Sequence, residues 1–73
     1  MSYKTAQKSA ILQTVQESKT HPTAQEVYEE VKKKLPSISF ATVYRNLAVL
    51  AKEGKIQEVQ FIDKKKRYEG TTH

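Results

Sequence analysis

The fold of this chain is decided by residues 39–54, SFATVYRNLAVLAKEG. Apolar side chains recur there every three or four positions, at Phe40, Val43, Leu47 and Leu50. This stripe predicts a helix over about 40–53 with these four side chains facing inward. Ser39 is a good cap for the start of that helix, and Gly54 suits a left-handed residue just after its end.

Two further helices are predicted before this one. The first runs from about Thr5 to Ser18, where apolar residues share one helical face. The second begins at Thr23 and Glu26, which have the spacing of a capping box. It should end near Leu35, because the proline that follows disfavours helical geometry in the residue before it.

The pattern after the third helix is typical of strands. Residues 56–62 are rich in Ile, Val and Phe and predict one strand, with Val59 and Phe61 on one face. Residues 63–66 read as a polar turn, and residues 67–69 as a second short strand. Three helices followed by a hairpin predict a mainly α fold with a small β-hairpin, a winged helix-turn-helix. We expect residues 1–73 to form one such domain.

Composition narrows the function classes. The chain has 73 residues, a formal charge of +5 and no cysteine, which permits an anionic partner and excludes disulfides and thiol chemistry. No set of histidine, carboxylate and nucleophile and no glycine-rich phosphate loop can be assembled, so we expect no enzyme activity. No apolar run is long enough to span a membrane, and we expect a cytoplasmic protein.

The outer face of the third helix has the composition of a DNA-reading surface. It carries Ala41, Arg45, Ala48, Val49 and Lys52, with Thr42 and Tyr44 on its flanks. Small residues let a helix approach the bases, and Arg45 can donate two hydrogen bonds to guanine O6 and N7. Thr42 or Tyr44 can touch a thymine methyl group or a phosphate. An ordinary solvated face has the same composition, so the face alone leaves both interpretations open.

A run of cations favours DNA further. Lys64, Lys65, Lys66 and Arg67 lie at the predicted hairpin tip, which suits a wing on phosphates or in the minor groove. The alternative is a charged hairpin that protects an edge strand from aggregation. The lysines at 32–34 are better explained by the dipole at the end of the second helix.

Three stretches resemble the ferric uptake regulator (Fur) family of bacterial metal- and peroxide-responsive repressors. HPTAQEVY (residues 21–28) is similar to the family's segment that opens the second helix, SFATVYRNL (39–47) to its recognition helix, and EGKIQEV (53–59) to its entry into the wing. The resemblance covers nearly the whole chain. Residues 5–8 depart from the usual Pro and Arg of the family.

The resemblance implies a DNA-binding domain that reads one half of an A·T-rich palindromic operator. Position by position, Tyr44 and Arg45 resemble the base-contacting pair, Lys8 a first-helix contact to the DNA backbone or minor groove, and the wing lysines backbone contacts. The family implies a homodimer for the full-length protein. We expect this chain to lack the family's C-terminal dimerisation and metal domain and to be a monomer by itself.

The resemblance also implies a regulatory metal. Members hold a divalent ion with a histidine at the position of His21, an acidic residue at that of Glu69 and histidines of a hinge that His73 would begin. Iron, manganese or zinc is thereby implied for a full-length protein, and no tight metal site for this chain alone. The alternative for His21 is an ordinary surface residue before proline, and for His73 a frayed terminal residue.

A second class of function is a winged helix that binds protein. Tyr44, Val49 and Phe61 would then form the contact patch. Such binding would be insensitive to salt, whereas about five phosphate contacts predict a log–log salt slope near −4.5.

Overall fold

A computed structural model describes residues 2–70. Three helices lead into a two-stranded antiparallel hairpin: α1 (Tyr3–Glu17), α2 (Ala24–Lys34), α3 (Phe40–Lys52), β1 (Ile56–Gln60) and β2 (Lys66–Gly70). The predicted order of elements is confirmed. Within the described residues, no helix is long and apolar enough to cross a membrane.

Each helix begins at a hydroxyl cap. The Thr23–Glu26 capping box is present in full, with the Thr23 N–H donating to Glu26 Oε1 at 2.8 Å and the Glu26 N–H to Thr23 Oγ1 at 3.2 Å. Ser39 Oγ accepts from the Thr42 N–H at 3.1 Å. Ser2 caps α1 in the same way, which is why α1 starts two residues earlier than predicted.

Helices α2 and α3 end as the sequence predicts. Leu35 is the C-cap of α2, directly before the proline that prevents continuation. Gly54 has φ +78°, the left-handed geometry that glycine adopts without steric cost, and it follows the C-cap Glu53 of α3.

The core lies between the three helices and is closed by the inner face of the hairpin. Its buried side chains are Ile11, Val15, Val27, Val31, Ile38, Val43, Leu47, Leu50, Ile56 and Tyr68. The prediction that Phe40 faces inward is wrong, because its side chain is 41% exposed. Phe40 is the first residue of α3, and its ring packs edge-on against Tyr28 of α2 at the border of the core.

The first strand of the hairpin is shorter than predicted, the second is longer, and the connecting turn begins earlier. β1 ends at Gln60, which pairs with Lys66, so Phe61 belongs to the turn. The Lys64 N–H donates to the Phe61 carbonyl at 2.8 Å, and Lys64 has φ +64°, which closes the turn over residues 61–64. The prediction that four cations share the tip is wrong, since Lys66 and Arg67 lie within β2.

β2 is also joined to the loop before α2. Thr23 and Arg67 form an isolated antiparallel bridge, and the Tyr68 N–H donates to the Pro22 carbonyl at 2.9 Å. At its end, Gly70 lies against the backbone of α1 at Gln16. The wing is therefore held in a fixed position relative to the helices.

Candidate nucleic-acid interface

The outer face of α3 points away from the core. Val43, Leu47 and Leu50 are fully buried and fix the rotation of the helix about its axis. The opposite side chains are exposed as predicted: Ala41, Tyr44, Arg45, Ala48, Val49 and Lys52. Alanines on both sides of Arg45 leave room for a surface to approach the helix backbone.

Arg45 is the cation at the centre of this face. Within residues 2–70, its guanidinium has neither an ion-pair nor a hydrogen-bond partner. An arginine side chain presents its donors in a planar fork. The side chain therefore offers a forked set of donors to an acceptor outside the domain.

Thr42 has a structural role besides the predicted one. Its side chain is half-buried, and its Oγ1 accepts from the Ser39 hydroxyl at 3.0 Å. Its carbonyl accepts from the Asn46 side-chain amide at 2.9 Å. Thr42 thus takes part in the N-cap of α3, and its contact with DNA stays a prediction.

Tyr44 lies where α3 meets the wing. Its ring is 45% exposed and is stacked at 22° on the Phe40 ring, with centroids 6.2 Å apart. Lys66 Nζ lies 3.5 Å from the Tyr44 hydroxyl and 5.8 Å from the ring centroid. The two predicted elements of the interface, helix and wing, are therefore in direct contact here.

The tip of the wing carries two cations. Lys64 and Lys65 are exposed, and their ammonium groups form no ion pair within the described residues. The Lys65 backbone N–H donates to Asp63 Oδ1 at 3.0 Å, and this bond, followed by one from Arg67, lowers the pKa of the Asp63 carboxyl. Asp63 is thereby directed towards the strand, which leaves the tip cationic.

The other two predicted wing cations, Lys66 and Arg67, bind partners within the domain. Lys66 Nζ lies 3.3 Å from Glu58 Oε2, and this carboxylate, followed by the Tyr44 hydroxyl, raises the pKa of the lysine. The Arg67 guanidinium donates to the His21 carbonyl and to Asp63 Oδ2, each at 3.0 Å. Sequence reasoning missed Glu58 because its contact with Lys66 is diagonal across the hairpin and depends on the register.

Lys8 faces a groove between α1 and α3. Its Nζ lies 2.9 Å from Glu53 Oε2, and this hydrogen bond is the main cause of the lowered pKa of Glu53. Lys4 and Lys55 line the same groove together with Asn46 of α3. The place of Lys4 in this groove could have been predicted from the sequence, because Lys4 lies one helical turn before Lys8. The place of Lys55 could not, because it depends on where α3 ends.

Two of the three predicted metal ligands lie together. His21 Nε2 is 3.5 Å from Glu69 Oε1, and both side chains are partly exposed. Two donors bound to one tetrahedral ion at about 2.1 Å are separated by about 3.4 Å, so this spacing fits a shared ion. Among residues 2–70 there is no group of three or more potential ligands, and His73 lies outside the described residues.

Comparison with known proteins identifies the group to which this domain belongs. The model of the ferric uptake regulator family matches residues 2–73. The chain belongs to that family. The peroxide-responsive repressor PerR of Staphylococcus aureus (strain USA300) is 41% identical over 69 residues, which are 94% of this chain and 47% of that protein. The chain thus spans about half the length of the curated relatives it matches.

Solved structures of ferric uptake regulator relatives share the fold. The Campylobacter jejuni peroxide stress regulator is 36% identical, with a TM-score of 0.85 over 96% of this chain and 51% of that one. A manganese uptake regulator is 31% identical, with a TM-score of 0.84 over 93% of this chain and 50% of the other. The predicted fold class, a winged helix-turn-helix, and the family resemblance are both confirmed.

Proposed function

We propose that this chain is the DNA-reading domain of a metal-responsive transcriptional repressor of the ferric uptake regulator family, with no enzymatic activity. The observation that carries the proposal is the outer face of α3, where Arg45 has no partner among the described residues and is flanked by alanines. The relatives are named as a peroxide-responsive repressor and a manganese uptake regulator, which supports regulation as the role.

In this proposal, α3 enters the major groove of double-stranded DNA. Arg45 donates to guanine O6 and N7, Tyr44 touches a thymine methyl group, and Ala41 allows the close approach. Each good bidentate contact discriminates against a wrong base by about 1–3 kcal/mol. An A·T-rich palindrome as operator and a homodimer in the full-length protein come from the family resemblance.

Phosphate contacts set the register of the helix on the duplex. Lys64 and Lys65 are the wing residues best placed for them, because their ammonium groups are unpaired within the described residues. Lys8 serves as a third contact, in competition with its ion pair to Glu53. Thr42 is proposed as a contact as well, in competition with the cap of α3, which uses its hydroxyl.

His21 and Glu69 are proposed to hold a divalent ion in a full-length protein, with His73 as a further donor. One imidazole nitrogen and one carboxylate oxygen form the mixed donor set that iron, manganese or zinc accepts. The ion would supply a fixed positive charge that draws these side chains together. Within this chain, Arg67 holds the His21 carbonyl and thereby keeps the histidine next to β2.

A protein-contact module is the second candidate, and the geometry disfavours it. The Phe61 ring packs against His21, at 5.1 Å between centroids, whereas Tyr44 packs against Phe40 and Lys66. Neighbouring residues of a strand point to opposite faces, and Arg67, not Lys66, is the partner of Phe61 on β2. The proposed patch is therefore divided between two sides of the wing.

An amide NMR titration with an A·T-rich palindromic duplex and a scrambled control, at two salt concentrations, tests the DNA-reading role. Residues 42–46 and 64–65 should shift, more with the palindrome and less at high salt. Arg45→Ala should abolish the preference for the palindrome. Lys19→Ala removes one cation from the α1–α2 loop and is the matched control. If Arg45→Ala binds both duplexes as the parent chain does, the proposed reading face is wrong.

A further inference from the structure

Two side chains of the domain contact Tyr44. The Phe40 ring, one helical turn earlier on α3, stacks on one side at 6.2 Å between centroids. Lys66 approaches from β2, 3.5 Å from the hydroxyl. A half-exposed tyrosine at a helix surface would otherwise exchange between rotamers, so these contacts restrict its orientation.

Lys66 is itself held in place by Glu58. Lys66 pairs with Gln60 across the hairpin, and Glu58 pairs with Tyr68, so Lys66 and Glu58 are diagonal neighbours on one face of the sheet. Near the core, this face buries Ile56 and Tyr68. Beyond the core edge the same face continues as Glu58 and Lys66, whose charged groups lie 3.3 Å apart.

We propose that Phe40 and the Glu58–Lys66 ion pair are positioning elements that preset Tyr44 for base recognition, so that Lys66 acts on Tyr44 and not on a phosphate. This inference rests on the proposed DNA-reading function. A side chain that is ordered before binding loses less conformational entropy in the complex. That saving corresponds to about a two- to tenfold gain in affinity for the sequence whose contacts need Tyr44 in this orientation.

The role of Lys66 can be separated from that of the tip lysines by salt dependence. Each phosphate contact contributes about 0.9 to the log–log salt slope. Lys64→Ala and Lys65→Ala should each reduce the slope by about that amount. Lys66→Met should leave the slope within experimental error and lower the discrimination between duplexes. A loss of about 0.9 in slope for Lys66→Met would identify Lys66 as a phosphate contact and overturn the proposal.

Glu58→Ala is the decisive variant, because a purely electrostatic role of Glu58 and a positioning role predict different changes in duplex affinity. Removal of an acidic group near DNA raises the affinity for every duplex to a similar extent. Loss of positioning lowers the ratio between the affinities for a preferred and a scrambled duplex. Glu30→Ala is the matched control, since Glu30 forms the same kind of ion pair with Lys33, at 3.2 Å, on α2.

The experiment starts with enrichment of duplexes from a randomised library by the parent chain, which supplies the preferred sequence. Glu58→Ala should then lower the discrimination ratio by about two- to tenfold and shift the aromatic NMR signals of Tyr44 in the free domain. Glu30→Ala should change neither quantity. Lys66→Arg, which keeps the cation, should retain most of the discrimination that Lys66→Met loses.

The possible failures can be told apart. If the parent chain enriches no sequence, the DNA-reading function is wrong and the positioning role falls with it. If the parent chain enriches a sequence and Glu58→Ala keeps the full discrimination ratio, only the positioning role is wrong. Phe40→Leu, which keeps apolar cover for Tyr28 but removes the stacked ring, provides an independent second variant with the same expected loss.

Discussion

The replacement of Gly70 with alanine tests how closely the wing is seated on α1. A Cβ at Gly70 would lie 2.8 Å from Gln16 Cα, where ordinary contact begins at 3.4 Å. The two segments would therefore have to separate by about 0.6 Å. Because the nearest atom belongs to the backbone, no change of rotamer relieves the clash.

The expected cost follows from this overlap. Overpacking of a well-packed site costs about 1–3 kcal/mol. In a domain of 60–100 residues, each kcal/mol lowers the melting temperature by about 4–8 °C. Gly70→Ala should therefore melt roughly 4–24 °C below the parent chain.

Thermal unfolding followed by far-ultraviolet circular dichroism measures this effect. Gln57→Ala removes an exposed side chain from the partner strand and is the control, with an expected change within about 0.5 kcal/mol. In the folded Gly70→Ala variant, amide NMR shifts should concentrate around Gln16 and β2. A melting temperature within about 2 °C of the parent would refute the close seating of the wing.

Three further predictions concern single side chains. The hydrogen bond from the Lys65 N–H lowers the pKa of Asp63, so the ionised Asp63 carboxylate stabilises the fold above about pH 4, and this stabilisation is lost as the pH falls through the folded-state pKa. The NMR signal of the Lys65 amide should follow this titration, and a signal that does not change with pH would contradict it. Glu53→Gln releases Lys8 from its ion pair and should steepen the salt slope of duplex binding by up to about 0.9, which fluorescence anisotropy at several salt concentrations can measure. Thr23→Ala removes the cap of α2 and should destabilise the domain by about 1 kcal/mol in urea unfolding, so an unchanged midpoint would count against the cap's contribution.

The sequence predicts the helices and their ends well because the signals are local. The capping box of Thr23 and Glu26, the Ser39 cap and the left-handed Gly54 each depend on residues within one turn of one another. The outer face of α3 was also predictable, since three strongly apolar positions define where the core lies.

The errors arise where a side chain lies at the end of a periodic pattern. Phe40 continues the apolar stripe of α3, but the first turn of the helix extends past the core, and its ring meets Tyr28 and Tyr44 instead. Phe61 likewise continues the pattern of β1 after the strand has ended. Periodicity assigns a face to such residues and contains no information on where the opposing surface stops.

The cations of the wing show a different limit. Four consecutive charges in sequence suggest one common role, yet Arg67 donates to a carbonyl 46 positions away. Lys66 contacts Glu58 and Tyr44 through the register of the hairpin and the docking of α3. Both arrangements depend on tertiary contacts, which no local rule for a charge run describes.

The hydrogen bonds between β2 and the loop before α2 have a consequence for the cooperativity of unfolding. An isolated two-stranded hairpin is marginally stable in water, and here Tyr68 and Arg67 bond to carbonyls of Pro22 and His21. The bonds that hold the hairpin on the helices therefore require a long loop of chain to close, which is entropically slow. We expect the amides of β2 to exchange with solvent through the same opening event as the first turn of α2.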